Sequence, residues 1–194
     1  MDACKGMNCG MAAVLFGSPS LIQEAISKAT RTGGFCEISN VNSPKQLVVS
    51  GDKSVLESLP SCLKSLKQGR RCKVIPLNVD YPFHSSLLKH AGEEFDQFVN
   101  DSLSHHSIEV RDPVVPIISN VDGCIVCSMT DLNVQMKRKE DLVERMGKQI
   151  CSAVQWEKDV KIARHLGMES FVEIGPKPVL APLVSSIDKS IQVV

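Results

Sequence analysis

The sequence predicts an α/β chain that begins with a βαββαβ unit and continues with short strands and helices. Over residues 10–78, apolar runs of strand length and helix-spaced apolar faces follow one another in that order. Over residues 79–194, single strand-like runs are separated by helical stretches, a pattern that favours a parallel sheet. Only two such runs are recognisable there, and two parallel strands make a poor core.

Four runs of strand length define the βαββαβ unit: residues 11–16, 35–41, 46–50 and 72–77. Ser18-Pro19 is a typical helix entry after the first run, because proline suits the first helical position. Ser54 and Glu57 match a capping box that starts a second helix. The resulting order is that of a ferredoxin-like fold, which is common and does not by itself indicate a function.

The rest of the chain is expected to be mostly helical. Helices are predicted over residues 85–103, 141–150, 157–166 and about 179–188. The two strand candidates are residues 114–119 and 171–174. Residues 1–9 read as a connecting segment, and residues 123–139 as a polar loop.

Composition narrows the possible functions. The 194 residues carry zero formal net charge, so nucleic acid is not expected as the main partner. No apolar run reaches the roughly 18 residues of a membrane helix. The eight cysteines are irregularly spaced and are interpreted as reduced thiols of an intracellular protein. Cys124 and Cys127 form a C-x-x-C pair without the second ligand pair of a structural zinc site, so no metal is expected.

Six stretches occur in a characteristic order. They are residues 10–15 (GMAAVL), 38–51 (ISNVNSPKQLVVSG), 75–88 (IPLNVDYPFHSSLL), 116–121 (PIISNV), 154–156 (VQW) and 171–176 (FVEIGP). Together, over about residues 10–190, they resemble the malonyl-CoA:acyl carrier protein transacylase family.

This resemblance implies an α/β-hydrolase-like large subdomain with a ferredoxin-like small subdomain inserted. Residues 10–78 would be the small subdomain, and residues 79–194 the C-terminal part of the large one. The implied activity is ping-pong transfer of a malonyl group from coenzyme A to acyl carrier protein in fatty acid synthesis, without a metal or redox cofactor. The resemblance also implies a mitochondrial matrix location in a eukaryote and a cytoplasmic one otherwise.

The resemblance assigns roles to five residues. His84 matches the histidine that takes a proton from a nucleophilic serine, and the backbone carbonyl of Gln149 matches the group that orients this imidazole. Asn40 and Asn42 match asparagines near the substrate, although they also suit a strand end and a turn. Phe83, just before the histidine, favours malonyl over methylmalonyl. Without the motif, His84 reads more simply as a buried histidine with satisfied hydrogen bonds.

The sequence departs from the family at two places. It contains no Gly-x-Ser-x-Gly elbow for the nucleophile, and the resemblance places that elbow, an oxyanion-hole turn and a carboxylate-binding arginine before Met1. Lys177 also stands where the family usually has glycine.

Two interpretations stay open. The chain is either part of an active enzyme or an inactive remnant that binds acyl carrier protein or a synthase partner. The first predicts exposed sheet edges and loose packing in the second half. RNA binding by the sheet is disfavoured by the low aromatic content, 4%.

Overall fold

The structure, a computed structural model, describes residue 6, residues 8–126 and residues 139–194. Most of the predicted connecting segment 1–9 and of the predicted loop 123–139, including Cys127, lies outside the described residues.

The described residues form eight strands and six α-helices. The strands are β1 Cys9–Leu15, β2 Cys36–Ser43, β3 Gln46–Asp52, β4 Lys73–Pro76, β5 Ile117–Ile118, β6 Ile125–Val126, β7 Ser170–Phe171 and β8 Gln192–Val193. The helices are α1 Pro19–Ala29, α2 Lys53–Ser65, α3 Lys89–Ser104, α4 Lys139–Cys151, α5 Trp156–His165 and α6 Ala181–Ile187. Short 3-10 turns cover Gly69–Arg71 and Ser86–Leu88.

The first four strands form one antiparallel sheet in the order β2-β3-β1-β4. With α1 and α2 between them, these elements follow one another in the predicted order. Ser18 caps α1 by accepting a hydrogen bond from the Leu21 amide at 3.3 Å, and Pro19 opens the helix. The chain is therefore α/β, with helices packed against an antiparallel sheet.

The two faces of this sheet have different neighbours. Ala12, Val14 and Val49 share the face that packs against α1 and α2 to form the main apolar core. Alternate residues point to the opposite face, and of these Val48 and Ser50 are also buried. On that side the end of β3 meets the turn before α3, while β2 contacts α5 and α6. The second part of the chain thus lies against the sheet.

The expectation of a parallel sheet over residues 79–194 is wrong for β5. A tight turn from Ser119 to Cys124 folds β5 back onto β6, so this pair is antiparallel. β7 pairs in parallel with β8, a strand that the sequence pattern does not predict.

The predicted strands 114–119 and 171–174 shorten to two residues each. Val194 continues the parallel pairing beside Val172, because its amide donates to the Phe171 carbonyl and its carbonyl accepts from the Glu173 amide, both at 2.9 Å. Within the described part of the chain no strand lies beside residues 114–116 or Ile174. Val114, Val172 and Ile174 are 77%, 72% and 95% exposed.

Among the described residues, no helix combines the length and the apolar character that a membrane crossing demands.

Candidate functional site

The predicted base, His84, lies in a tight turn between β4 and α3. Its φ of 55° places it in the left-handed region, which histidine adopts more often than most residues but which still carries strain. The Ser85 hydroxyl donates to the Pro82 carbonyl at 2.6 Å and closes the turn from inside. The ring remains partly exposed.

The structure brings His84 and Gln149 together, although they are 65 positions apart in sequence. Nδ1 of His84 lies 2.9 Å from the backbone oxygen of Gln149. Gln149 belongs to the last turn of α4, where backbone carbonyls have no partner within the helix and are free to accept. Because a carbonyl only accepts, Nδ1 carries the proton, and in the neutral ring Nε2 then has the lone pair.

This arrangement suits proton transfer. A neutral imidazole with a free Nε2 lone pair can take a proton from a hydroxyl or thiol placed within hydrogen-bond reach. The negative end of the α4 dipole lies near Nδ1 and favours the positive charge that forms on the ring. Geometry therefore equips His84 to act as a general base.

Two side chains from the sheet also hold the turn. Ser50 on β3 donates its hydroxyl to the Phe83 carbonyl at 2.8 Å. The Glu37 carboxylate on β2 accepts from the backbone amide of Ser86, and from its hydroxyl at 3.2 Å. Neither residue is among those predicted from the sequence. The available signal is a serine inside a buried strand, because such a hydroxyl needs a partner.

Asn40 lies next to the segment that follows α4. It forms a parallel bridge with Val154, and the backbone of Val154 bonds on both sides of Asn40, to Ser39 at 2.9 Å and to Val41 at 2.8 Å. Asn42 lies further along the same strand. Within the described residues no hydrogen bond joins either asparagine to His84.

Phe83 presents its ring to solvent. It is 43% exposed and makes a tilted contact with Tyr81, with ring centroids 5.9 Å apart. The substrate contacts assigned to Phe83, Asn40 and Asn42 remain predictions.

Helix α4, which supplies the Gln149 carbonyl, is fixed by an ion pair and a close helix contact. Arg145 Nη2 donates to Asp122 Oδ2 at 2.7 Å, and this hydrogen bond holds the pKa of Asp122 at about 2. Gly147 of α4 passes so close to Gly92 of α3 that a methyl group on Gly92 would lie 2.8 Å from the Gly147 oxygen. The position of the carbonyl thus depends on both contacts.

Outside the His84 turn, His90, His105 and Cys36 form no second cluster within the part of the chain that the structure describes. His90 pairs with Glu94 on α3, and His105 bonds to its own helix. Burial raises the pKa of the Cys36 thiol to about 12, so its thiolate is disfavoured. No group of three metal-ligating side chains is found within the described residues.

The loop after β7 accommodates its unusual lysine. Lys177 is not among the residues with positive φ, so the position does not require glycine. The Glu173 carboxylate accepts from the amides of residues 179, 180 and 181 at 2.7–2.8 Å and holds the start of α6. These bonds, chiefly those from Leu180 and Val179, lower the pKa of Glu173.

Similarity to known proteins extends over nearly the whole chain. It is 29% identical over 184 residues to the malonyl CoA-acyl carrier protein transacylase of Bacillus subtilis, covering 95% of this chain and 52% of that protein. It is 34% identical over 182 residues to the transacylase of Staphylococcus aureus, covering 94% and 53%. No family model matches the chain.

The fold has relatives among solved structures. An acyl carrier protein S-malonyltransferase from Vibrio cholerae superposes with a TM-score of 0.81 at 26% identity, over 98% of this chain and 56% of that one. The chain therefore spans about half the length of the curated relatives that it matches.

Proposed function

Because the chain is a homologue of the malonyl CoA-acyl carrier protein transacylases, we propose that it supplies the base-bearing part of an enzyme that moves malonyl groups from coenzyme A to acyl carrier protein. The hydrogen bond of His84 Nδ1 with the Gln149 carbonyl, 2.9 Å long, carries this proposal. It leaves Nε2 as the proton acceptor that acyl transfer needs.

In the first half-reaction, Nε2 of His84 takes the proton of a serine hydroxyl while the serine oxygen bonds to the thioester carbon of malonyl-CoA. The carbon–sulfur bond to coenzyme A then breaks, and the imidazolium returns the proton to the departing sulfur. In the second half, Nε2 takes the proton of the carrier protein's thiol, sulfur displaces the serine oxygen, and the proton goes back to serine. No electrons are exchanged, so the reaction needs no redox cofactor, and the proposed proton transfers use the imidazole without a metal.

The serine is the group that the sequence does not offer in the expected pattern. Since none of its serines stands in a Gly-x-Ser-x-Gly elbow, we propose that the hydroxyl comes from a segment outside these 194 residues. The partly exposed ring of His84 is compatible with approach of such a group.

Residues 10–78 are proposed to form the ferredoxin-like small subdomain, and residues 79–194 part of the large one. The order β2-β3-β1-β4 and the antiparallel pairing support the first assignment. Asn40, Asn42 and Phe83 are proposed to contact the malonyl group or its carrier. The Val154 bridge supports this for Asn40, because it brings β2 beside the segment that follows α4.

The test is a single chain that joins the N-terminal half of the S. aureus transacylase to this sequence. We expect malonyl transfer from malonyl-CoA to acyl carrier protein, and a fall of at least about 10²-fold for His84→Ala. The matched control is His90→Ala, on the exposed face of α3. Equal rates for His84→Ala and the unsubstituted chain would remove His84 from the chemistry.

The inactive-remnant alternative predicts a different result. The same joined chain would retain carrier protein in a pulldown and transfer no malonyl group. The names of the relatives do not favour this outcome.

A further inference from the structure

We propose that Glu37 and Ser50 are positioning residues that hold the His84 turn in its left-handed conformation and so aim the imidazole. The proposal rests on the proposed function, because it assigns these residues to the base of that reaction. Neither side chain bonds the ring; both act on the backbone around it.

The two residues form a matched pair. Glu37 on β2 stands directly opposite Ser50 on β3 in the antiparallel ladder, so their side chains leave the same face of the sheet. Ser50 bonds the carbonyl of Phe83, the residue before His84, and Glu37 bonds the amide of Ser86, two residues after it. The backbone on both sides of His84, the residue with positive φ, is therefore held by the cross-strand pair of Glu37 and Ser50.

Such support is needed because the turn is not favourable by itself. A left-handed residue other than glycine is strained, because its Cβ comes too close to the following carbonyl oxygen. A turn released from this strain would take a negative φ at His84 and swing the ring away from the Gln149 carbonyl, which another helix fixes independently. The hydrogen bond at Nδ1 would then be lost. The ring would no longer prefer the tautomer with the proton on Nδ1 and the lone pair on Nε2.

The burial of Ser50 points the same way. Its side chain is 0% exposed, and a buried hydroxyl without a partner is costly. Among the described residues its hydroxyl bonds the Phe83 carbonyl, and this bond forms only while that carbonyl faces the sheet. Glu37 adds two hydrogen bonds to Ser86 at the start of the 3-10 turn, where amides lack partners.

If Glu37 and Ser50 only stabilise the fold, their removal lowers stability and leaves the tautomer of His84 unchanged. If they position the ring, their removal changes which ring nitrogen of His84 carries the proton. The two are separated by ¹⁵N NMR of the histidine-labelled 194-residue chain, with the His84 signals assigned by their loss in His84→Ala. The spectra are recorded at a pH where the imidazole is neutral, so that they report which nitrogen carries the proton.

The variants are Glu37→Ala and Ser50→Ala, each with a matched control. Glu37→Gln keeps an oxygen that can accept from the Ser86 amide. Ser43→Ala removes another buried hydroxyl from β2, one that bonds Lys45 and Ser186 away from the turn. We expect both alanine variants to shift His84 from the Nδ1–H form toward a mixture of tautomers, and both controls to keep it.

Unchanged tautomers in Glu37→Ala and Ser50→Ala would overturn the proposal, as would equal shifts in the alanine variants and in Ser43→Ala. In the joined chain, we expect the two alanine variants to lower kcat by about tenfold, with KM within about twofold. The spectra test the positioning role even if the joined chain transfers no malonyl group, so the two proposals can fail separately.

Discussion

Nδ1 of His84 contacts a main-chain carbonyl, in the place where many triads have a carboxylate. A carbonyl carries no formal charge and does not titrate, so its contribution depends only on where the helix end places it. The side chain at position 149 has no part in this contact.

Substituting Gln149→Ala should therefore change little. We expect the joined chain to keep its malonyl transfer rate within about twofold, equivalent to roughly 0.5 kcal/mol. The measurement is kcat/KM beside that of His84→Ala. A loss from Gln149→Ala as large as that from His84→Ala would show that the amide side chain, and not the backbone, supports the base.

On α5, the protonation state of Asp159 affects the stability of the protein. Its side chain is buried, and within the described part of the chain neither carboxylate oxygen has a hydrogen-bond partner. Burial raises its pKa from 3.8 to about 7. Since the folded-state pKa is raised, folding favours the protonated form, and this group makes the protein less stable as pH rises from about 4 to 7.

Asp159→Asn should remove that pH dependence. We expect it to raise the free energy of unfolding at pH 8 by roughly 2 kcal/mol more than at pH 4. Denaturant unfolding at the two pH values measures this, with Asp101→Asn on the exposed surface of α3 as control. A gain for Asp159→Asn that is the same at both pH values would contradict the assigned pKa.

The site residues differ in how well the sequence predicts them. His84 and Gln149 could be predicted because motifs of the family surround them. Glu37 and Ser50 could not, because their role follows from strand register, which places position 37 opposite position 50. The register between β2 and β3 shifts twice over residues 38–43, so counting back from the turn that joins the two strands does not give this pair.

Among the elements, α4 has the most influence on the site, because its last turn carries the Gln149 carbonyl. It packs against α3 through Gly92 and Gly147, and the absence of side chains there lets the backbones approach. A change at this contact is expected to move the carbonyl without touching His84.

Gly92→Ala tests this coupling. Alanine normally favours a helix over glycine by about 1 kcal/mol, but here its methyl group would lie 2.8 Å from the Gly147 oxygen. We expect the steric clash of the methyl group to outweigh the gain in helix propensity and to lower the free energy of unfolding by roughly 1–3 kcal/mol. Thermal or denaturant unfolding measures it, with exposed Gln97→Ala on the same helix as control. Stabilisation by Gly92→Ala would show that the helices are not in close contact.

Prediction succeeded for elements whose apolar pattern is complete in the sequence. Strands β1 and β3 are almost wholly buried runs, and helices α1 and α2 each bury one face, so each lies close to where the apolar pattern indicates. The predicted capping box at Ser54 is wrong, because α2 begins one residue earlier, at Lys53, and no side chain among the described residues caps it.

β5 and β7 are shorter than predicted, because an apolar run becomes a strand only beside a partner strand. Val114 and Ile174 lack such a partner in the described structure, and Val172 is paired only with the backbone of Val194.

Over the whole molecule, the two parts of the chain differ in how their apolar residues are covered. The sheet with α1 and α2 encloses a continuous core, whereas α5, α6 and the chain end share a small cluster around Val160, Val184 and Ile191. Several large apolar side chains after residue 113 remain exposed. The His84 turn lies where these two parts meet, held from the sheet by Ser50 and from α4 by Gln149.

The rate of malonyl transfer from malonyl-CoA to acyl carrier protein, measured for the joined chain with histidine or alanine at position 84, tests the central claim most directly. The account predicts transfer with His84 and a fall of at least about 10²-fold with alanine. Transfer that proceeds equally fast without the imidazole would contradict it.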